Sequence, residues 1–176
     1  MLKEKKCKNC KEKFIPQRPL QYICGVRCGA EYAINSRNKK EKKERAEAKK
    51  SLLTHKDYLK MLQVVFNTYI RLRDKDKGCI SCGGPFITKY DAGHFYSVGS
   101  TPSLRFDEDN CHGQCVYCNQ HLHGNLIMYW ENLPKRIGRE RYIALMEKSK
   151  IYNLKLSIPE IQEKIKYYKQ KINQIK

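Results

Sequence analysis

Apolar residues recur at helical spacing from residue 54 to residue 73, which predicts an amphipathic helix with one face against a core. Thr54 is the candidate N-cap of this helix, and Asp57 is its acidic partner three positions later. The apolar stripe consists of Tyr58, Leu59, Leu62, Val65, Phe66, Tyr69 and Ile70. Stacking of its aromatic rings on nucleic-acid bases is an alternative, but packing against the segment that begins at Gly78 is the favoured interpretation.

Two more helices are expected in the C-terminal part of the chain. The first runs from about Pro134 to Lys148. The second begins at Ser157, because Pro159 and Glu160 follow it at the positions of a first-turn proline and a capping-box acid. Its apolar residues alternate by three and four positions and are Ile158, Ile161, Ile165, Tyr168, Ile172 and Ile175. This heptad seam packs either on an earlier helix of the same chain or on a second copy, and the sequence slightly favours a homodimer.

The region from about Glu31 to Ser51 is highly charged and has no apolar stripe. The stretch 35–50 carries eight Lys or Arg against three Glu and lacks Gly and Pro, which favours a long exposed helix. Such a helix is either a solvated linker or a surface that lies along phosphates. The candidate DNA contacts in it are Lys39, Lys40, Lys42 and Lys43.

The charge balance of the whole chain points to a polyanionic partner. The chain has 36 Lys and Arg against 18 Asp and Glu, a net charge of +18. DNA is the favoured partner, and a merely solvated basic surface is the alternative. Binding to DNA is expected to weaken steeply with salt, because each phosphate contact releases condensed counterions.

The N-terminal residues are charged and do not resemble a secretory signal, and no apolar run reaches membrane-spanning length. We therefore expect a protein without membrane contact in the cytoplasm, which is the bacterial host cytoplasm if the chain is phage-encoded. Thiols stay reduced there, so clustered cysteines bind metal more often than they form disulfides.

Eight of the nine cysteines fall into two groups of four with zinc-ligand spacing. In the central group, 32 residues separate two C-x-x-C pairs, and the ligands are Cys79, Cys82, Cys115 and Cys118. In the N-terminal group a 13-residue spacer separates a C-x-x-C pair from a looser C-x-x-x-C pair, and the ligands are Cys7, Cys10, Cys24 and Cys28. Unligated thiols are the alternative for the N-terminal group.

These patterns predict an α+β chain of small zinc-bound modules that are joined and flanked by helices. The expected organisation is an N-terminal zinc module over 1–30, a basic helical linker over 31–53, a zinc-stabilised central domain over 54–150 and a C-terminal helix over 151–176.

Polar residues near the central cysteines form a pattern typical of phosphodiester hydrolysis. The segment 90–96 is expected to be the first strand of a hairpin, and a helix from about Asn119 would place Asn119 and His123 on one face. His94 suits the role of general base, because the pKa of histidine lies near neutrality. A catalytic Mg²⁺ would be held by Asn119 and a partner, whereas His123 suits Mn²⁺ better. The arrangement resembles the ββα-metal, or HNH, nuclease motif.

Many HNH sites have an acid directly before the base histidine, where this chain has Gly93. Asp91 lies on the same strand face about 7 Å further along. Asp91 either reaches the ion, helped by a kink at Gly93, or caps a turn while His94 itself binds the ion. The candidate catalytic residues are His94, Asn119, Asp91 and His123, of which the last three are candidate ligands of the divalent ion.

Five further residues are less diagnostic. Arg105 is expected to contact the scissile phosphate, and Asn110 to brace the following turn. Cys111 is expected to be a buried, unligated thiol. His112 orients a zinc thiolate, binds a phosphate or does neither, and His121 is expected at the surface.

Taken together, these strings resemble the bacteriophage NinG, or Rap, recombination proteins of the lambdoid type, over most of the chain. The matching strings are Cys7-x-x-Cys10, Arg18-Pro19-Leu20-Gln21, the lysine-rich helix, Cys79-Ile-Ser-Cys82, Asp91-Ala-Gly-His94, Leu104-Arg-Phe106, Asn110, His112-Gly-Gln-Cys115, Cys118-Asn119 and Gly124-Asn125.

The resemblance implies a metal-dependent endonuclease that cuts branched DNA, such as Holliday junctions and D-loops, during phage recombination. A four-way junction needs two nicks, so a two-fold homodimer is the natural geometry. The alternatives are a zinc-stapled DNA-binding recombination factor that cuts nothing and an adaptor that binds acidic proteins.

Overall fold

The computed structural model describes residues 2–151 and 155–175, and the chain divides into two compact units, Met1–Leu53 and Thr54–Lys176. Residues 152–154 and 176 of the expected C-terminal segment lie outside the described residues. Helices and two small two-stranded sheets build the chain, which confirms the predicted α+β class. Within the described ranges, no helix is both long and apolar enough to cross a membrane.

The first unit consists of a minimal hairpin and a long helix. Strands β1 (Lys5–Lys6) and β2 (Lys13–Phe14) pair antiparallel, and α1 (Val26–Ser51) follows. Helix α1 begins earlier than the sequence indicated, and none of its residues described here is buried. It is therefore a largely exposed basic helix, as predicted, with only Cys28, Gly29 and Tyr32 partly covered. Two of its lysines, Lys40 and Lys43, lie 3.8 Å from glutamates one turn further along.

The second unit opens with α2 (His55–Asp74), which begins at the predicted cap. The Asp57 amide donates to Thr54 Oγ1 at 3.3 Å, and the Thr54 amide donates to Asp57 Oδ2 at 3.0 Å. This reciprocal pair satisfies two backbone donors at the start of the helix, where no intrahelical partner exists.

Replacing Thr54 with alanine is expected to lower the free energy of unfolding of this unit by about 1 kcal/mol, because the cap is lost. Urea denaturation measures the change. Thr68→Ala is the matched control, since the Thr68 hydroxyl bonds only within the same helix: it donates to the Val64 carbonyl at 2.8 Å and accepts from Arg71 at 3.4 Å. Equal losses in the two variants would contradict a capping role.

The last helix, α5 (Ile158–Ile175), packs against α2 in the same chain. Tyr168 lies at the centre of this contact, with ring centroids 5.1 Å from Phe66 and 5.2 Å from Tyr69. Ile161 and Ile165 are buried beside it. The heptad seam therefore faces α2, which is the first of its two alternatives, and its buried residues are not free to contact a second copy. A homodimer stays a prediction. The seam has the same spacing in either role, so the sequence alone did not separate them.

The single helix expected from about Pro134 to Lys148 is in fact two. Helix α3 (Leu126–Ile137) ends before Gly138, and α4 (Arg139–Ser149) begins after it. The break lies at Gly138, whose φ of 86° belongs to the left-handed region that glycine tolerates best. The two helices share a core consisting of Ile80, Leu104, Tyr129, Leu133, Ile137 and Leu145.

The central hairpin lies between α2 and α3 along the chain, and in it β3 (Tyr90–His94) pairs antiparallel with β4 (Cys111–Cys115). The buried carboxylate of Asp74 joins the end of α2 to this hairpin, because its Oδ2 accepts from the Gly113 amide at 2.9 Å and from Arg73 at 2.7 Å. Burial alone raises the pKa of Asp74, but contacts with His112, Arg73 and Gly113 outweigh burial and hold this pKa far below its ordinary value. The hairpin is thus fixed against α2 by an ionised side chain.

Candidate functional site

The four central cysteines converge as the sequence predicted, and all their sulfur atoms lie within 4.8 Å of one another. Cys115 ends β4 and Cys118 lies in a π-helical turn over Tyr117–His121. The Sγ atoms of Cys82 and Cys115 are 3.9 Å apart. A tetrahedral zinc ion with Zn–S bonds of about 2.3 Å requires a separation of about 3.8 Å, so the four thiols fit zinc.

The N-terminal cysteines form a second group of the same kind, again with all four sulfur atoms within 4.8 Å. Cys7 follows β1, and Cys28 lies in the first turn of α1. The Sγ atoms of Cys10 and Cys24 are 3.8 Å apart, which also matches a tetrahedral edge. The looser C-x-x-x-C spacing of Cys24 and Cys28 therefore does not prevent the four sulfur atoms from lying close together.

A cavity of about 970 Å³ lies beside the central cysteine group, and we refer to it as the His94 cavity. Its polar lining includes His94, Ser97, Ser100, Asn119 and His123. Its apolar lining includes Phe95, Tyr96, Val98, Leu126, Ile127 and Trp130. Three of the four candidate catalytic residues, distant in sequence, thus share one cavity.

The His94 ring is held in one tautomer. Its Nε2 lies 2.9 Å from the carbonyl oxygen of Arg105, and because a carbonyl only accepts, Nε2 carries the proton. Nδ1 is left as an acceptor. Burial lowers the pKa of His94, and the bond to the Arg105 carbonyl opposes this effect only in part. The imidazole is therefore neutral at pH 7 and able to accept a proton.

Cys111 lies next to this ring, with its Sγ 3.8 Å from His94 Nδ1. It is fully buried and outside both cysteine groups, as expected. Burial raises the pKa of its thiol, which stays protonated and is only a weak donor.

Asp91 lies outside the residues that line the cavity and acts on Asn119 instead. Its Oδ2 accepts hydrogen bonds from Asn119 Nδ2 at 3.0 Å and from Gln120 Nε2 at 2.7 Å. Because the first bond holds the amide nitrogen of Asn119 against Asp91, the amide oxygen of Asn119 points away from this carboxylate. These bonds correspond to neither of the two alternatives for Asp91, because the carboxylate orients Asn119. Ligation of an ion by Asp91 stays a prediction.

His123 reaches the cavity by a different backbone path from the predicted helix. The π-helical turn ends at His121, and His123, Gly124 and Asn125 all have positive φ, of 47°, 93° and 40°. The expectation that Asn119 and His123 share a helix face is wrong, because left-handed residues interrupt the helix before α3. The bond from Asn125 Nδ2 to Cys118 Sγ, at 3.4 Å, ties this strained turn to the cysteine group.

Arg105 does not bring its side chain to the cavity. Its Nε donates to Gln63 Oε1 at 2.7 Å, and the guanidinium lines a separate cavity of about 260 Å³. The expected contact of Arg105 with a phosphate beside His94 is therefore corrected, and Arg105 serves the site through its backbone carbonyl.

Asn110 and His112 have structural partners. Asn110 is fully buried, accepts from the Tyr96 amide at 2.8 Å and donates to the Tyr96 and Leu104 carbonyls, so it braces the loop after His94. His112 Nδ1 accepts from Arg73 at 3.0 Å, and burial lowers its pKa. His112 thus orients no zinc thiolate. His121 is exposed, as expected.

Two features of the site were not found from the sequence. Gln114 is fully buried and its Nε2 donates to Ser81 Oγ and to the Gly124 carbonyl, which links β4 to the turn that presents His123. Gln114 also limits what can stand at position 93, because the Cβ atom of any residue other than glycine would collide with Gln114 Oε1. A side chain at position 93 would therefore need the space that Gln114 of β4 fills. The second feature is Trp130, which is 56% exposed on the cavity wall.

The first turn of α3 opens on the same cavity through Leu126 and Ile127. This turn has no acidic residue and no side-chain cap, since Asn125 is engaged with Cys118. Free backbone amides at a helix N-terminus favour an anionic group, such as a phosphate.

Fold and site together define a small basic protein with a four-cysteine cluster. Beside this cluster, His94 of the central hairpin and the turn over Tyr117–His121 contribute to one cavity. The chain belongs to the NinG family: the family described as "Bacteriophage Lambda NinG protein" matches residues 1–176. Protein ninG of Escherichia phage 933W is 40% identical, over 77% of each chain. Protein ninG of Escherichia phage lambda is 39% identical, over 77% of this chain and 76% of its own. Protein ninG of Salmonella phage P22 is 40% identical, over 76% of each chain. No solved structure matches this chain.

Proposed function

We propose that this protein is a metal-dependent endonuclease that cuts branched DNA in phage recombination, with His94 as the general base. One observation carries the proposal: the neutral imidazole of His94, which is fixed through Nε2, lines the same cavity as Asn119 and His123. The net charge of the chain, +18, favours DNA as the substrate. The cavity holds the water-activating group, and the basic surface holds the polyanion.

In this proposal His94 Nδ1 takes the proton from the water that attacks the phosphodiester. Nε2 stays bonded to the Arg105 carbonyl, so the ring keeps its orientation while Nδ1 becomes protonated. The free amides at the start of α3 receive a phosphate oxygen. Proton removal and phosphate binding thus come from groups that line the same cavity.

The residues that would hold the catalytic ion are Asn119, through its amide oxygen, and His123. Two protein ligands suit an ion whose remaining positions are filled by phosphate and water, and an imidazole favours Mn²⁺ over Mg²⁺. Such an ion supplies positive charge that stabilises the leaving oxygen.

We extend the proposal to the rest of the chain. The lysines of α1, including Lys39, Lys40, Lys42 and Lys43, contact DNA phosphates, and two copies act on a four-way junction through a surface other than the buried seam of α5. The protein works in the bacterial cytoplasm, where reducing conditions keep the eight clustered thiols available for zinc.

A second candidate function is a zinc-stapled DNA-binding recombination factor that cuts nothing. The favouring observation is that, within residues 2–151 and 155–175, only the two four-cysteine groups bring together three or more His, Cys, Asp or Glu ligands. Stable binding of DNA needs no further metal.

Cleavage of a four-way junction and of its separate linear arms distinguishes the two functions. Each substrate is incubated with zinc-loaded protein in buffer without added divalent ion, with Mg²⁺ and with Mn²⁺, and zinc content is measured throughout. The endonuclease cuts the junction only when an ion is added, and faster with Mn²⁺. Cutting of all substrates at equal rates would indicate a general nuclease, and no cutting would favour the binding factor.

The nicking rate is expected to rise with pH through an inflection below pH 6.5, the ordinary pKa of histidine. Burial lowers the pKa of His94, so the active neutral form persists to lower pH than for an exposed imidazole. Single-turnover rates between pH 5 and pH 8, at constant zinc content, measure the inflection. An inflection above pH 6.5 would show that a different group is titrating.

A further inference from the structure

We infer that the apolar wall of the His94 cavity receives one unstacked nucleobase beside the phosphate that is cut. The inference rests on the proposed function and adds to it the way in which branched DNA is recognised. The wall consists of Phe95, Tyr96, Trp130, Leu126 and Ile127.

The composition of the cavity calls for an apolar ligand as well as a phosphate. Trp130 is 56% exposed and Ile127 is 75% exposed, and both line a cavity of the volume that binds small organic molecules. Hydrolysis of a phosphodiester uses the polar groups of the cavity but gives no reason for the exposed indole. An exposed apolar surface in a concave site marks a binding function.

The aromatic wall is held rigidly at the position of His94. Phe95 and Tyr96 follow His94 directly, and Asn110 bonds both the amide and the carbonyl of Tyr96. Tyr129, the neighbour of Trp130, is fully buried and donates its hydroxyl to the Gly93 carbonyl at 3.0 Å. The helix that carries Trp130 is thus fastened to the strand that carries His94, so no loop motion is needed to form the wall.

The chemistry of the surroundings selects a nucleobase as the occupant. The chain carries a net charge of +18, which brings a polyanion to the surface, and aromatic side chains beside basic surfaces stack on bases. The hydroxyl groups of Ser97 and Ser100 lie in the same cavity, bonded to each other at 2.9 Å, and their remaining lone pairs can accept from a base edge.

A base in this cavity gives a physical reason for preferring branched DNA. Removing a base from a continuous duplex requires unpairing and unstacking, which oppose binding, whereas bases at a branch point are already partly unstacked. The preference then arises in the binding step and does not depend on the chemistry of cleavage.

The test uses Trp130 itself, because it is the only tryptophan in the chain. Full-length protein carrying His94→Gln, without added divalent ion, is titrated with a four-way junction and with a linear duplex of the same sequence. Tryptophan fluorescence is expected to be quenched by the junction and to change little with the duplex. A second substrate with 2-aminopurine at the branch point reports the same event from the DNA side.

Trp130→Ala is expected to weaken junction binding about tenfold and to leave duplex binding unchanged, while Trp130→Phe retains most of the affinity. Ile143→Ala is the matched control, because Ile143 is 50% exposed on α4 and lies outside the cavity lining. Equal loss of junction and duplex binding in Trp130→Ala, or no loss of either, would overturn the inference. Absence of quenching by any DNA would also overturn it and would point to a protein segment as the occupant.

Failure of this inference and failure of the proposed function are separate outcomes. Selective loss of junction binding in Trp130→Ala, together with no cleavage in wild-type protein, would support the base site and reject the nuclease. Cleavage that depends on His94, with no effect of Trp130 on binding, would do the reverse.

Discussion

Replacing His94 with glutamine is expected to slow junction nicking by about 10²- to 10⁴-fold, the contribution typical of a positioned general base. In the native protein, His94 Nε2 donates to the Arg105 carbonyl at 2.9 Å, and the amide N–H of glutamine can make the same bond. The glutamine amide cannot accept a proton at neutral pH, so it cannot act as a base. Single-turnover cleavage of a four-way junction with Mn²⁺ measures the loss. Zinc content and junction affinity should stay at the wild-type level.

His55→Gln is the matched control for this experiment. His55 Nε2 also contacts a backbone carbonyl, that of Leu156 at 2.7 Å, but His55 lines the second cavity instead of the His94 cavity. The control should nick at the wild-type rate. Unchanged nicking in His94→Gln, with normal folding, would exclude His94 as the base and would show that a different group of the protein activates the water.

Replacing Cys79 with serine is expected to unfold the unit Thr54–Lys176 and to reduce bound zinc from two ions to one. Structural zinc contributes on the order of 10 kcal/mol of apparent binding free energy, which is comparable to the whole stability of a domain. Cys79 accepts the Cys115 amide at 3.4 Å and is buried, so its thiol joins the loop after α2 to the end of β4. Zinc analysis and thermal unfolding followed by circular dichroism measure both effects.

Cys111→Ala separates loss of a ligand from loss of a buried thiol. Cys111 is as deeply buried as Cys79 but belongs to neither cysteine group. Its removal should keep both zinc ions and lower stability only by the small cost of a missing sulfur atom. Two zinc ions and unchanged melting in Cys79→Ser would show that Cys79 is not a required ligand of a structural zinc ion.

The features that the sequence predicted well are those that short-range chemistry dictates. The cap at Thr54, the start of α5 near Ser157 and the two four-cysteine groups each depend on residues a few positions apart or on one ion that selects thiolates. The local sequence pattern also predicted the strand that ends at His94.

The features that the sequence did not predict depend on partners distant along the chain. The seam of α5 is equally suited to a second copy or to α2, and only packing of Tyr168 against Phe66 decides between them. The path to His123 depends on three left-handed residues held by Gln114 and Cys118, which no helical periodicity indicates. Arg105 looked like a phosphate ligand because a sequence cannot show that Gln63 engages its guanidinium.

The close approach of Gln114 to Gly93 constrains how this centre can change. An acid introduced at position 93 alone would meet the buried carboxamide of Gln114, so the substitution is tolerated only after the side chain at position 114 has been shortened. Shortening Gln114 first releases the Gly124 carbonyl and loosens the turn that carries His123. Whichever of the two substitutions comes first, the single variant is impaired. An acid at position 93 therefore requires two coupled substitutions, at positions 93 and 114.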